Sequence, residues 1–255
     1  MTYTIPEKII ETIRKSRRMV ISTGAGISAE SGIATFRDPV DGLWSQYDPE
    51  LLSTPEAFRR DPSLVWGWYE TMRGQMRNAS PNPAHHAVTE LTVIVPEVAL
   101  ITQNIDDLHE RAGASDVIHL HGRVFDSRCF ACARPHYRRD IPATLGGPIE
   151  PPRCGHCNGR IRPGVVWFGE QLPQRDVKRA FDAAKRCDCL ISIGTSGEVN
   201  PAATLPDIAL DSGASVIHVN IDPWCQHRPN EYLLEGRASE IMSTVLAEAF
   251  PSGKR

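Results

Sequence analysis

The sequence predicts an α/β fold: a Rossmann-like parallel sheet with helices on both faces, plus a smaller inserted domain. Three observations predict it. Short apolar runs alternate with longer stretches of helical periodicity, the pattern of buried parallel strands covered on both sides. The first apolar run passes directly into a glycine-rich turn, Gly24-Ala25-Gly26, as in nucleotide-binding strand-turn-helix units. Two Cys-x-x-Cys pairs, Cys129/Cys132 and Cys154/Cys157, fall outside the alternation in a stretch rich in Pro, Gly and Arg. That stretch cannot supply much core of its own and reads as a zinc ribbon-like module.

Taken in order, Thr4-Ile5-Pro6-Glu7 has a capping-box pattern and opens a helix with Ile9, Ile10 and Ile13 on one side. The basic run at residues 14–18 closes that helix, where cations suit the helix dipole. Residues 19–23 form a short buried strand, and further strands are expected at 98–102, 117–120, 190–193 and 216–219. Helical patterns lie between them at 84–93, 106–112, 176–186 and 202–211. Residues 42–79, with Trp44, Tyr47, Phe58, Trp66, Trp68 and Tyr69, suit a helical insertion. The expected division is a discontinuous nucleotide-binding domain (1–40, 80–120 and 165–255), a helical insertion (41–79) and a metal module (121–164).

With 255 residues, 41% hydrophobic and 23% charged, the chain is in the range of globular proteins that bury a full α/β core. A net charge of -3 gives no basis for a nucleic-acid or anionic-membrane surface. No signal peptide or membrane-length apolar stretch is evident, and paired cysteines without a secretion signal favour metal over disulfides. The cytoplasm is the expected compartment and a monomer the expected state.

Three groups carry chemistry. Gly24, Gly26 and Ala29 fit a G-x-G-x-x-G/A turn, in which missing side chains let backbone N–H groups approach a pyrophosphate. A ligand-free tight turn remains an alternative. The acidic residue that dehydrogenases place about twenty positions on would fall at Asp41, in a loop, which disfavours hydride transfer. The cysteine pairs supply four thiolates, a closed set expected to hold a structural zinc; His136 and His156 are the nearest substitute ligands. Cys187, Cys189 and Cys225 lack such spacing. Finally, Gln103, Asn104 and Asp106 follow one strand, while His119 and His121 alternate along another. Strand ends of this kind line ligand crevices in parallel sheets.

Together these segments resemble the sirtuin family of NAD-dependent protein deacylases. The matching motifs are GAGISAESGIATFR (24–37), TQNID (102–106), HLHG (119–122), the two Cys-x-x-Cys pairs, VVWFGE (165–170) and GTS (194–196). The wording is nearest the bacterial and mitochondrial branch of deacetylases and desuccinylases. The resemblance implies NAD as a consumed co-substrate, bound by Gly24, Ala25, Gly26, Phe36, Arg37, Gln103, Asn104, Asp106, Gly194, Thr195, Ser196, Asn220 and Ala238. It implies His121, Asn104 and Asp106 as catalytic residues, with His121 as general base on a ribose hydroxyl. An acyl-lysine peptide would lie beside Val166, Trp167 and Phe168. The products would be free lysine, nicotinamide and O-acyl-ADP-ribose, with acetyl the expected acyl group.

Departures from the family pattern bear on the acyl group. The desuccinylase branch carries Tyr-x-x-Arg; here Tyr69 is followed by Met72, with Arg73 one position late. One residue rotates a side chain by about 100° around a helix, so the carboxylate grip is broken unless Arg73 reaches in. Alternatively, Trp66, Tyr69 and Met72 merely pack the insertion. Asp38 and Asn200 also depart from the pattern, with no physical account. Rival functions are a desuccinylase or demalonylase, an NAD glycohydrolase or ADP-ribosyltransferase in the same cleft, and a non-enzymatic binding module.

Overall fold

The computed structural model describes residues 4–34, 48–137, 147–222 and 228–251. Six parallel strands form the main sheet: β1 (Arg18–Thr23), β2 (Glu97–Thr102), β3 (Ile118–His119), β6 (Cys189–Ile193), β7 (Ser215–Asn220) and β8 (Glu231–Glu235). Their spatial order is β3-β2-β1-β6-β7-β8. Chain progression reverses between β1 and β6, and ligands of open α/β sheets bind at the carboxyl edge of such a reversal.

Helices cover both faces. On one, α1 (Glu7–Lys15), α6 (Pro83–Ile94) and α10 (Ala238–Ala249) pack Ile10, Leu91 and Met242 against Ile21, Ile191 and Ile217 of the strands. On the other, α8 (Gln174–Arg186) and α9 (Leu205–Asp211) place Ala180, Ala184, Leu205 and Ala209 over Val20, Leu190 and Val216. Alternate residues of each strand therefore feed two separate cores, as the period of two requires.

Beside the sheet, α3 (Pro49–Leu52), α4 (Pro55–Arg60) and α5 (Pro62–Asn78) pack on an antiparallel pair, β4 (Gly122–Cys129) and β5 (Ile161–Val165). Helices α4, α5 and α6 each start at a polar residue followed by proline. Thr54 Oγ1 accepts from Ala57 N, Asp61 Oδ1 from Leu64 N, and Asn82 Oδ1 from Ala84 N. Proline at N1 sacrifices no bond, since that N–H lacks an intrahelical partner anyway.

Several expectations are corrected. The Thr4 capping box is absent: Pro6 is extended (φ -56°, ψ 131°) and α1 starts after it with no side-chain cap. The helix expected at 106–112 is α7 (Leu108–Arg111), because Asp106 turns its carboxylate back to cap Leu108 N. The strand expected at 117–120 pairs only at 118–119. Residues 202–204 form a 3₁₀ turn before α9. Phe36, Arg37, Asp38, Trp44, Tyr47 and Cys225 lie outside the described residues.

Candidate active site at the carboxyl edge of the sheet

Where the strand order reverses, the ends of β1, β2, β6 and β7 open onto a crevice lined among others by Ser22, Gln103, Ser192, Thr195, Gly197 and Asn220. Two turns meet above it. The Gly26 N–H donates to Gly194 O at 3.0 Å, and a Cβ on Gly24 or Gly26 would stand 2.7 Å from Gly194 backbone atoms. Gly194 itself has φ +61°, a conformation that suits glycine. The three glycines are thus required by turn-on-turn packing, a reason the sequence reading did not contain.

That contact changes which donors remain. Gly24, Gly26, Ile27 and Ser28 all spend their N–H groups on protein carbonyls. Ala25 N–H is the one in the first turn with no protein acceptor among the described residues. Asn220 Nδ2 donates to Thr195 O at 2.9 Å, and Gly236 N to Asn220 O at 2.8 Å, two residues before α10 begins at Ala238.

After β2 the chain turns through Gln103, Asn104 and Asp106. Asn104 is 8% exposed; its Nδ2 donates to Gly24 O and Ser28 Oγ, both at 3.1 Å, which leaves Oδ1 as its open acceptor. Asp106 accepts from Ser28 Oγ and Leu108 N, each at 3.0 Å. Burial pushes its carboxyl above the usual carboxylate range. Ser28, which the sequence reading passed over, joins the two; its place in the glycine turn was the available signal.

Both expected histidines lean on that same turn, but they differ. His119 is occupied twice, Nδ1 on Asn104 O at 3.3 Å and Nε2 on Glu110 Oε1 at 2.8 Å. His121 Nδ1 donates to Gln103 O at 2.9 Å. A carbonyl only accepts, so the proton sits on Nδ1 and the neutral ring presents its bare lone pair at Nε2. Burial lowers the His121 pKa, partly opposed by the Gln103 carbonyl.

A second wall comes from the segment after β5. Val166 N donates to His121 O (2.8 Å), Trp167 N to Glu170 (2.9 Å) and Phe168 N to Ser53 O (2.9 Å). The N–H groups are therefore engaged, while the carbonyls of Val166 and Phe168 have no partner among the described residues. Arg162, 3% exposed, stacks on Trp167 with 3.4 Å from its guanidinium to the ring centroid and pairs with Glu170. This clamp was missed because Arg162 reads as a surface residue before Pro163.

Tyr69, 2% exposed, donates its hydroxyl to Ser53 Oγ (3.2 Å) and accepts from Trp167 Nε1 (3.0 Å); burial pushes its pKa up to about 12. Met72 is half-buried in the same apolar cluster. Arg73 does not join them. Fully buried, it stacks on Trp66, pairs with Glu70 at 2.5 Å and donates to Val124 O at 2.6 Å.

The four cysteines Cys129, Cys132, Cys154 and Cys157 bring their sulfurs within 4.8 Å of one another, with Cys129–Cys157 at 3.5 Å and Cys132–Cys154 at 3.8 Å. Four thiolates about 2.3 Å from a tetrahedral zinc stand about 3.8 Å apart, so the set fits that ion. The backbone N–H groups of Cys157 and His156 lower the Cys154 thiol to about 6. Neither His136 nor His156 enters the cluster. Cys187 and Cys189 are buried elsewhere, in the two sheet cores.

A parallel sheet with a glycine turn at its strand reversal, a polar crevice and a closed Cys₄ site defines a dinucleotide-binding protein with a structural zinc module. The Sir2 family pattern matches residues 24–201, and the chain belongs to that family. It is 52% identical over 247 residues to NAD-dependent protein deacylase 1 of Pseudomonas aeruginosa, covering 95% of this chain and 98% of that one. Among solved structures it is similar to a Sir2 homologue–NAD complex (TM-score 0.89, 42% identity, 99% of this chain and 96% of that one). It is likewise similar to a Sir2 homologue mutant with 2′-O-acetyl ADP ribose (0.89, 41%, 98% and 99%). A Sir2–p53 peptide–NAD+ complex also matches (0.85, 32%, 98% and 100%).

Proposed function

We propose that this chain is an NAD-dependent protein-lysine deacylase, with acetyl its main acyl group, releasing free lysine, nicotinamide and O-acyl-ADP-ribose. The observation that supports the reading is the His121 ring: its Nδ1 is held by Gln103 O at 2.9 Å, which leaves Nε2 unprotonated beside the turn that carries Asn104 and Asp106. NAD supplies an anomeric carbon that the acyl oxygen attacks as nicotinamide leaves. Around it, Ala25, Thr195 and Ser196 offer backbone donors to the pyrophosphate, with Gly24, Gly26 and Gly194 shaping the cradle. Asn220 and Ala238 are assigned to the adenosine half; Phe36 and Arg37, which the family resemblance assigns to the reacting sugar, lie outside the described residues.

Gln103, Asn104 and Asp106 hold the nicotinamide ribose and carboxamide, Asn104 through its open Oδ1. His121 Nε2 would take the proton from a ribose hydroxyl, whose oxygen adds to the acyl carbon; the lysine nitrogen then leaves as the protonated amine and water supplies the oxygen that completes O-acyl-ADP-ribose. The peptide lies along Val166, Trp167 and Phe168 and pairs with the free carbonyls of Val166 and Phe168 rather than with their N–H groups. Cys129, Cys132, Cys154 and Cys157 would hold a zinc ion that would order the module carrying β4 and β5; with four thiolates as ligands it would have no open position for chemistry.

Acetyl follows from what surrounds Met72. A succinyl carboxylate needs a cation, and Arg73 is bound to Glu70 beneath β4 while the Tyr69 hydroxyl is committed twice. The nucleotide-binding domain comprises 1–40, 80–120 and 165–255, with inserts at 41–79 and 121–164. We assign the enzyme to the cytoplasm, as a monomer acting on acylated proteins without binding nucleic acid.

The test is mass spectrometry of an acetyl-lysine peptide with and without NAD. Loss of 42 Da (about; one acetyl group) only with NAD, together with the sugar-linked product, supports the reading. Nicotinamide release that needs no acyl peptide would instead make the chain a glycohydrolase.

A further inference from the structure

Behind the Asn104 turn two imidazoles are buried together. His85 on α6 and His109 on α7 are 0% and 2% exposed, with ring centroids 5.0 Å apart. Each has one nitrogen engaged and one without a partner, His85 Nε2 and His109 Nδ1. Burial holds His85 down to about 3 and His109 to about 4, so both are neutral near physiological pH.

The engaged nitrogens fix where the protons lie. Asn82, which caps α6, donates its N–H to His85 Nδ1 at 3.3 Å. A neutral ring that accepts at Nδ1 carries its proton on Nε2, so that atom is a donor. Thr23 gives its one hydroxyl proton to Thr102 Oγ1 at 2.9 Å and therefore accepts from His109 Nε2, also at 2.9 Å. His109 Nδ1 is then a bare acceptor. Adjacent rings thus present a donor and an acceptor with no direct bond between them.

The geometry points to a single buried water between His85 Nε2 and His109 Nδ1, and to His109 as a positioning residue that ties α6 through Thr23 and Thr102 to the Asn104 turn. The last link is direct: Asn104 N donates to Thr102 Oγ1 at 3.0 Å. A water accepts from one ring and donates to the other; Thr89 Oγ1, one turn further along α6, is likewise buried without a partner among the described residues. A metal is excluded because His85 Nε2 carries a proton. The catalytic consequence rests on the role proposed for Asn104; the water does not.

Three readouts on the full-length enzyme test this. A high-resolution crystal structure should show an ordered water about 3 Å from both nitrogens. Nitrogen-15 NMR should find both rings as the Nε2–H tautomer. His109→Gln keeps a donor where Nε2 stood, whereas His109→Phe removes it; the KM for NAD should rise roughly tenfold in H109F, more than kcat falls, and return in H109Q, as expected when a buried acceptor loses its donor. Should H109F fail to fold, Thr102→Val against Thr102→Ser makes the same comparison. A dry gap between the rings, an Nδ1–H proton on His109, or equal KM values within both pairs overturns the inference. Wild-type protein inert toward acyl peptides would sink the proposed function instead, leaving the water and tautomers readable.

Discussion

The parallel sheet and the cysteine module sit side by side but are held by different physics. The sheet buries two continuous apolar cores, with Ile21, Ile191 and Ile217 on one face and Val20, Leu190 and Val216 on the other. The cysteine module shares a cluster of four buried residues, Trp66, Cys129, Cys154 and Ile161, two of them the sulfur ligands themselves. Burial at roughly 25 cal/mol per Å² stabilises the first without help. The second has too little to bury, so ligand bonds must supply its order. The segment after β5, which we propose as the peptide wall, joins the two: Trp167 packs in the apolar cluster of α4 and α5, while β5 runs back to the cysteine module.

Removing zinc should have the largest effect. Structural zinc contributes on the order of 10 kcal/mol in small modules, so Cys132→Ser or a strong chelator should abolish deacylation and disorder β4 and β5. Far-ultraviolet circular dichroism should retain most sheet and helix signal. Complete, cooperative unfolding on chelation would show instead that the two regions are one unit. Next in size, Ile191→Ala removes a side chain that is 1% exposed from the sheet core. It should cost about 2–5 kcal/mol and lower Tm with zinc content unchanged, measured by calorimetry and metal analysis.

Between them, the cluster that holds Tyr69 and Met72 is the proposed acyl pocket. Wild type should remove acetyl at least about tenfold faster than succinyl from one peptide, a difference of ~1.4 kcal/mol. Met72→Arg places a cation where the wild type has a thioether and should narrow that ratio; a succinyl advantage in wild type contradicts the placement of Arg73. The smallest effect is in pH. A base must be neutral, so activity is present above the His121 pKa and falls as pH drops through it. Because burial lowers that pKa, the acid limb of kcat/KM should lie below the ordinary imidazole value of about 6.5. A limb above that value would assign the base elsewhere.

Strands were legible wherever both faces are buried: β1, β2, β6 and β7 lie within one residue of their expected bounds because continuous apolar runs mark them. β8 was not, since of Glu231–Glu235 only Leu234 is buried at this sheet edge. The site was legible as types of residue at strand ends, and less so as partners. Nothing in the spacing of His119 and His121 says that Glu110 occupies one ring and leaves the other free. For Arg73, the signal was local: Glu70 lies three residues earlier on the same helix and claims it. The glycines were rightly singled out, yet their neighbour Gly194 comes from 170 residues away, beyond any local pattern.

The central claim is tested most directly by a crystal structure of the chain with an unreactive NAD analogue and an acetyl-lysine peptide. His121 Nε2 should then lie within about 3.2 Å of a hydroxyl on the nicotinamide ribose, with Nδ1 still on the Gln103 carbonyl. A ring turned into the interior, or a ribose bound out of its reach, would contradict it.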